Sequence, residues 1–249
     1  MKKSLAFFAA AGMLAAASVR AGQVVSYRSA GDTVPGYLAT PAGAGRHPAL
    51  IVVHEWWGVN DWVRGKADKF ARDGYVALAV DLYRGKTAGG DPDVAHQLAR
   101  GLPEDRAARD LGAAFRYLAQ RPDVDASRIG SIGWCMGGGY ALQSAVEEPT
   151  LAACVINYGR LVTEPATIAK IHAAMLGNFG ADDQGISPAM VGDFEKQARA
   201  LGKSVDFKIY PGAGHGFASN PDPKVFKPDA ARDADARTDA FLARELKKK

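Results

Sequence analysis

The sequence predicts an α/β domain: a mostly parallel sheet of about eight strands flanked by helices. Three observations carry that prediction. Apolar runs of strand length alternate with longer helical patterns through the whole chain. The central runs, Leu50-Ile51-Val52-Val53 and Val76-Ala77-Leu78-Ala79-Val80, are continuously apolar, as strands covered by helices on both faces must be. Strand–helix alternation of this kind implies parallel neighbours joined by right-handed crossovers.

The elements follow in order. Val24–Tyr27 and Val34–Ala39 alternate polar and apolar residues around Gly31-Asp32, the pattern of an antiparallel hairpin at one sheet edge. Ala49–His54 and Tyr75–Val80 are the apolar runs, with a helix over Trp62–Asp73 between them. Helices over Pro92–Gly101 and Pro103–Gln120 lead to a strand at Ile129–Gly133, and a helix over Gly137–Val146 leads to a strand at Ala152–Tyr158. Strands at Ala173–Phe179 and Val205–Tyr210 enclose a helix over Pro188–Leu201, and Asp229–Leu246 closes the chain as a helix. Lys247-Lys248-Lys249 is a solvated tail in this reading. There is no internal repeat and no low-complexity linker, so residues 22–249 are expected to form a single domain.

Residues 1–21 are read as a signal peptide and set aside. A basic start, Met1-Lys2-Lys3, leads into an Ala/Leu/Met run and small residues ahead of Gly22. The run is too short and alanine-rich for a spanning helix, so the mature chain is expected to be periplasmic or secreted with no membrane contact. Removing the three basic residues of this segment leaves 28 basic against 27 acidic side chains, a net charge of +1. No nucleic-acid partner is implied. The two cysteines, Cys135 and Cys154, have no metal-type spacing, and neither a metal nor a cofactor is expected. Cys154 lies in an apolar strand pattern and is expected to behave as a small buried hydrophobe rather than a disulfide partner.

The segment that points to chemistry is Gly133-Trp134-Cys135-Met136-Gly137-Gly138-Gly139. It is a Gly-x-nucleophile-x-Gly elbow between a strand and an Ala-rich helix, with cysteine at the centre. A residue on so sharp a turn projects into the cleft above the sheet, and the flanking glycines leave room for the turn. The following helix directs free N–H groups and its positive end at the sulfur. An elbow nucleophile needs a histidine and an acid, in the chain order nucleophile, acid, histidine. Gly180-Ala181-Asp182-Asp183 and Gly214-His215-Gly216 follow successive strands in that order. The other histidines have plainer explanations: His47 and His96 sit in polar surroundings, His172 begins a strand and His54 ends one.

At this point the chain resembles the dienelactone hydrolase family of the α/β-hydrolases. The marks are His54-Glu55-Trp56-Trp57-Gly58, Asp81-Leu82-Tyr83, the Cys135 elbow, Gly180-x-x-Asp183 and Ala213-Gly214-His215-Gly216-Phe217. The resemblance implies an α/β-hydrolase fold and a Cys135–His215–Asp183 triad that hydrolyses small carboxylic esters or lactones through an acyl-enzyme. It also matches Glu55 to a glutamate that contacts the resting thiol, and it implies an oxyanion hole of the Met136 and Trp56 backbone N–H groups. An ordinary cysteine thiol, with a pKa of about 8.5, is mostly protonated at neutral pH, and an unpaired Glu55 carboxylate beside it would hold it so. Substrate would then let Glu55 take the proton.

The sequence departs from the resemblance at the substrate carboxylate. Relatives that act on dienelactone place one arginine shortly after the Asp-Leu-Tyr element and another four residues after the histidine. Here the first is displaced to Arg84 and the second is Ser219. Tyr83, Arg84, Trp134 and Phe217 are the candidate substrate contacts. The alternatives are a thioesterase or acyltransferase on the same scaffold, or a non-catalytic binding protein. A monomer is expected.

Overall fold

Strand alternation divides the apolar residues between two cores. In β3 (His47–Val53), Ala49, Ile51 and Val53 face one side of the sheet while Leu50 and Val52 face the other. In β4 (Val76–Val80), Val76, Leu78 and Val80 join the first core, and Ala77 and Ala79 the second. Both strands therefore need helices on each face, which is why they read as unbroken apolar runs.

The computed structural model describes residues 22–247, and the expected signal peptide lies outside them. The remaining strands are β1 (Gln23–Ser29), β2 (Asp32–Ala39), β5 (Val124–Trp134), β6 (Ala153–Asn157), β7 (Ala174–Gly180) and β8 (Val205–Tyr210). They form one eight-stranded sheet in the order β1-β2-β4-β3-β5-β6-β7-β8. β1 and β2 form the expected antiparallel hairpin, β2 also runs antiparallel to β4, and every other pairing is parallel. The helices are α1 (Asp61–Arg72), α2 (Pro92–Arg100), α3 (Glu104–Ala119), α4 (Met136–Glu147), α5 (Pro165–Ile168), α6 (Pro188–Ala200) and α7 (Pro228–Leu246). α3, α4 and α6 supply Leu111, Leu142 and Phe194 to the first core. α1 and α7 cover the opposite face with Val63, Phe70, Phe241 and Leu242. Among the described residues, no helix is long and apolar enough to cross a membrane.

Two features depart from the sequence reading. β5 begins at Val124 rather than Ile129, because Val124 pairs with His47 before the register shifts to Ala49 opposite Ile129. Its polar start, where Arg128 pairs with Asp125 at 2.8 Å, breaks the apolar run that marks a strand. The single-turn α5 is the other addition, too short to show a helical period. Parallel pairing places the C-terminal ends of β3, β5, β7 and β8 along one edge of the sheet, where ligands bind in open α/β sheets. The segments after those four strands carry Glu55, Cys135, Asp183 and His215.

Candidate active site

Cys135 stands between β5 and α4 with φ 55° and ψ −122°, in the strained region that favours glycine. Its neighbours make the turn possible. A side chain at Gly133 would run into the Gly137 carbonyl, and one at Gly137 into the carbonyls of Val53 and His54. The elbow is tied down from β6: the Cys135 N–H donates to the Asn157 carbonyl at 3.0 Å, and Asn157 Nδ2 donates to the Gly133 carbonyl at 3.1 Å. Met136 is the first residue of α4, so its N–H is one that a helix leaves without an internal partner, and it faces the same end of the sheet.

His215 meets the sulfur. Its Nε2 lies 3.0 Å from Cys135 Sγ and its Nδ1 lies 2.7 Å from Asp183 Oδ2. The other Asp183 oxygen accepts the N–H groups of Gly185 at 2.8 Å and Ile186 at 3.0 Å. Burial works to raise the Asp183 carboxyl, but the His215 hydrogen bond and these two N–H groups outweigh it and hold the carboxyl below its usual range. For His215, burial opposes the charged form, while Asp183 and Cys135 favour it more strongly and push the imidazole up to about 10. Asp182 points its side chain to solvent. Glu55, Trp56, Cys135, His215 and Ser219 line a cleft of ≈ 240 Å³, so Trp56, Glu55 and the elbow cysteine share one space.

Glu55 corrects part of the sequence reading. It is 8 % exposed but not unpaired: its Oε1 accepts the Ser219 hydroxyl at 2.8 Å. The hydrogen-bond partner of the sulfur is His215. Burial raises the Glu55 carboxyl above its usual range, partly offset by the Ser219 hydrogen bond and the charge of His215. His54, expected only to end a strand, builds the turn that carries Glu55. Its Nε2 accepts the Leu82 N–H at 3.3 Å, which leaves Nδ1 to donate to the Glu55 carbonyl at 2.5 Å. His96 also has a packing role, edge-on to Trp56 at 4.7 Å.

The four candidate substrate contacts are not brought together in this cleft. Trp134 is 2 % exposed and packs edge-on against Trp62, and Phe217 is fully buried against Tyr158 and Tyr210. Tyr83 packs on His54 and donates its hydroxyl to Met136 Sδ at 3.4 Å. Tyr83 and Arg84 line a different and larger concavity of ≈ 380 Å³ whose lining does not include Cys135 or His215. The Arg84 guanidinium is engaged elsewhere. Nη2 grips both oxygens of Asp110 at 3.0 Å, and Nη1 reaches Asp32 at 3.1 Å. The Asp110 side chain is 1 % exposed, so Arg84 is the cation that makes its burial tolerable. Arg84→Ala is therefore expected to destabilise the fold by about 3–5 kcal/mol, the cost of stranding a buried charge. Thermal melts should show a lowered Tm with substrate preference unchanged; the reverse pattern would return Arg84 to recognition.

Together the sheet order and the elbow–acid–histidine arrangement define an α/β-hydrolase. Residues 34–246 match the model of the dienelactone hydrolase family. A Methylorubrum extorquens protein named "Putative carboxymethylenebutenolidase" is 32% identical over 213 residues, covering 80% of this chain and 73% of its own. A Bradyrhizobium protein named "Probable 2-oxo-3-(5-oxofuran-2-ylidene)propanoate lactonase" is 33% identical, covering 85% and 90%. Among solved structures, a Klebsiella pneumoniae "Putative Dienelactone Hydrolase" superposes with a TM-score of 0.81 at 29% identity, covering 90% of this chain and 98% of that one. The chain belongs to the dienelactone hydrolase family and is a hydrolase.

Proposed function

We propose that the chain hydrolyses neutral carboxylic esters or lactones through an acyl-enzyme on Cys135. The observation that carries this reading is the continuous contact Asp183–His215–Cys135, at 2.7 and 3.0 Å, on a strained elbow that opens into a cleft. The Cys135 proton passes to His215 Nε2, where Asp183 stabilises the imidazolium. The thiolate adds to the ester carbonyl, and the Met136 and Trp56 N–H groups receive the oxyanion. On collapse the C–O bond breaks and His215 gives its proton to the departing alkoxide. Water then attacks the thioester, loses its proton to His215, and releases the acid as the Cys135 thiol reforms.

The substrate class follows from charge. The ionisable side chains lining the cleft beside Cys135 are Glu55 and His215, and Ser219 supplies a hydroxyl where carboxylate-binding relatives carry a guanidinium. The compound in the Bradyrhizobium relative's name is a lactone that also carries a carboxylate, so it supports the lactone ring, while the preference for neutral substrates rests on the cleft's own charges. Neutral esters and lactones should be turned over at least as well as anionic ones. Ser219→Arg should raise kcat/KM for an anionic lactone by about ten- to a hundred-fold, the worth of a charge-assisted contact. A panel of neutral and anionic esters, lactones and thioesters, assayed with wild type and Ser219→Arg, tests this. Strong wild-type preference for the anionic lactone would refute it.

A further inference from the structure

Ser219 is more than a position where an arginine is missing. Its hydroxyl donates to Glu55 Oε1 at 2.8 Å, and the Tyr158 hydroxyl donates to Ser219 Oγ at 3.0 Å. A serine hydroxyl has one proton and can accept two. Because Tyr158 occupies an acceptor site on Ser219, the Ser219 proton is directed at the carboxylate. Tyr158 cannot readily leave this arrangement. It is fully buried, its backbone is held at φ 40°, and its ring packs edge-on against both His215 and Phe217. The Tyr158 N–H is fixed by the Asn178 carbonyl at 2.8 Å. The chain of donors therefore starts from a rigid anchor and ends on the one carboxylate that shares the cleft with the nucleophile.

We infer that Tyr158 and Ser219 form a positioning relay that holds Glu55 ionised and turned to Ser219 instead of Cys135, and so sets the pH at which Cys135 becomes reactive. This rests on the reading of Cys135 as nucleophile. The physical logic is direct. An ionised carboxylate in a small buried cleft repels a thiolate, whereas a neutral one does not. Burial favours the neutral acid, and a hydroxyl donor favours the carboxylate. The titratable groups around Glu55 are His215, Cys135, Tyr158 and Lys66. Lys66 is already paired with Asp235 at 2.9 Å, and His215 is paired with Asp183. Ser219 is thus the foremost donor that offsets the burial of Glu55, followed by the charge of His215 and the nearby Tyr158 hydroxyl.

Two readouts test the relay. The first is the carboxyl carbon titration of Glu55 by NMR in the full chain, assigned with Glu55→Gln. The midpoint should rise by about one pH unit in Ser219→Ala, the worth of one hydrogen bond to a charged acceptor, and return in Ser219→Thr. Tyr158→Phe, which keeps the ring packing, should shift it the same way by less. The second is the rate of Cys135 alkylation by iodoacetamide against pH. Over the range where Glu55 is neutral in Ser219→Ala and still ionised in wild type, the variant should alkylate several-fold faster. In a Glu55→Gln background the same substitution should change nothing. An unmoved Glu55 titration in both Ser219→Ala and Tyr158→Phe, or an equal change in alkylation with and without Glu55, would overturn the relay. The NMR titration does not depend on turnover, so it still decides the matter if Cys135 proves not to be the nucleophile.

Discussion

Cys135→Ala should abolish ester hydrolysis and leave the fold intact. Without the sulfur no acyl-enzyme forms, and His215 loses the atom that its Nε2 faces at 3.0 Å. Removing the nucleophile of a comparable serine triad costs roughly 10⁶-fold in kcat, which would put the residual rate near background. The fold should survive because alanine keeps the Cβ at a position that already accommodates one at φ 55°, and because the hydrogen bonds that anchor the elbow are made by the Cys135 backbone and by Asn157. Cys135→Ser should also be poor. A hydroxyl is far harder to ionise than a thiol, and the ionised Glu55 opposes a second anion in the cleft. The measurement is kcat/KM on the best neutral ester together with thermal melts. Substantial activity in an alanine variant of unchanged Tm would remove covalent catalysis from the mechanism.

The contrast between what the sequence revealed and what it concealed has a physical basis. β3 and β4 were legible because both faces are covered, which writes continuous apolar runs into the chain. Cys135, Asp183 and His215 were legible because each lies in a short glycine-bearing segment after a strand. The elbow glycines are dictated by contacts of backbone against backbone, as at Gly133 and Gly137. The partners of these residues were not legible. Ser219 and Glu55 are 164 positions apart, Tyr158 and Ser219 are 61 apart, and no local pattern records that they meet. Arg84 misled for a similar reason. Its place after Asp-Leu-Tyr points to the cleft, whereas its partner Asp110 lies a helix away with its charge buried. A buried aspartate in α3, among Ala107, Leu111 and Ala114, is the one signal that could have pointed to an arginine committed elsewhere. Asn157 left a comparable trace, a polar residue ending the otherwise apolar Ala153–Asn157.

The acid is tested by comparing Asp183→Asn with Asp182→Asn. Replacing the acid that orients the histidine costs about 10⁴-fold in kcat in a serine protease built on the same arrangement. Here the expected loss at position 183 is of that order. The amide oxygen of the Asp183→Asn variant could still accept the Gly185 and Ile186 N–H groups, so the loop should keep its shape. What the new side chain would then present to His215 Nδ1 is an amide donor, which favours the tautomer with the Nε2 proton aimed at the sulfur. The substitution would also remove the negative charge that, with Cys135, holds the imidazole at about 10, so His215 should titrate at a lower pH. Proton NMR of the His215 ring reads that change directly, independently of turnover. Asp182 has no such contact. Its side chain is exposed, and its backbone bonds to the Ala213 carbonyl and the Gln184 amide do not involve the carboxylate. A mild effect on rate and no movement of the His215 titration are expected there. The opposite pair of results would move the acid by one residue and require the 180–186 loop to rearrange when substrate binds.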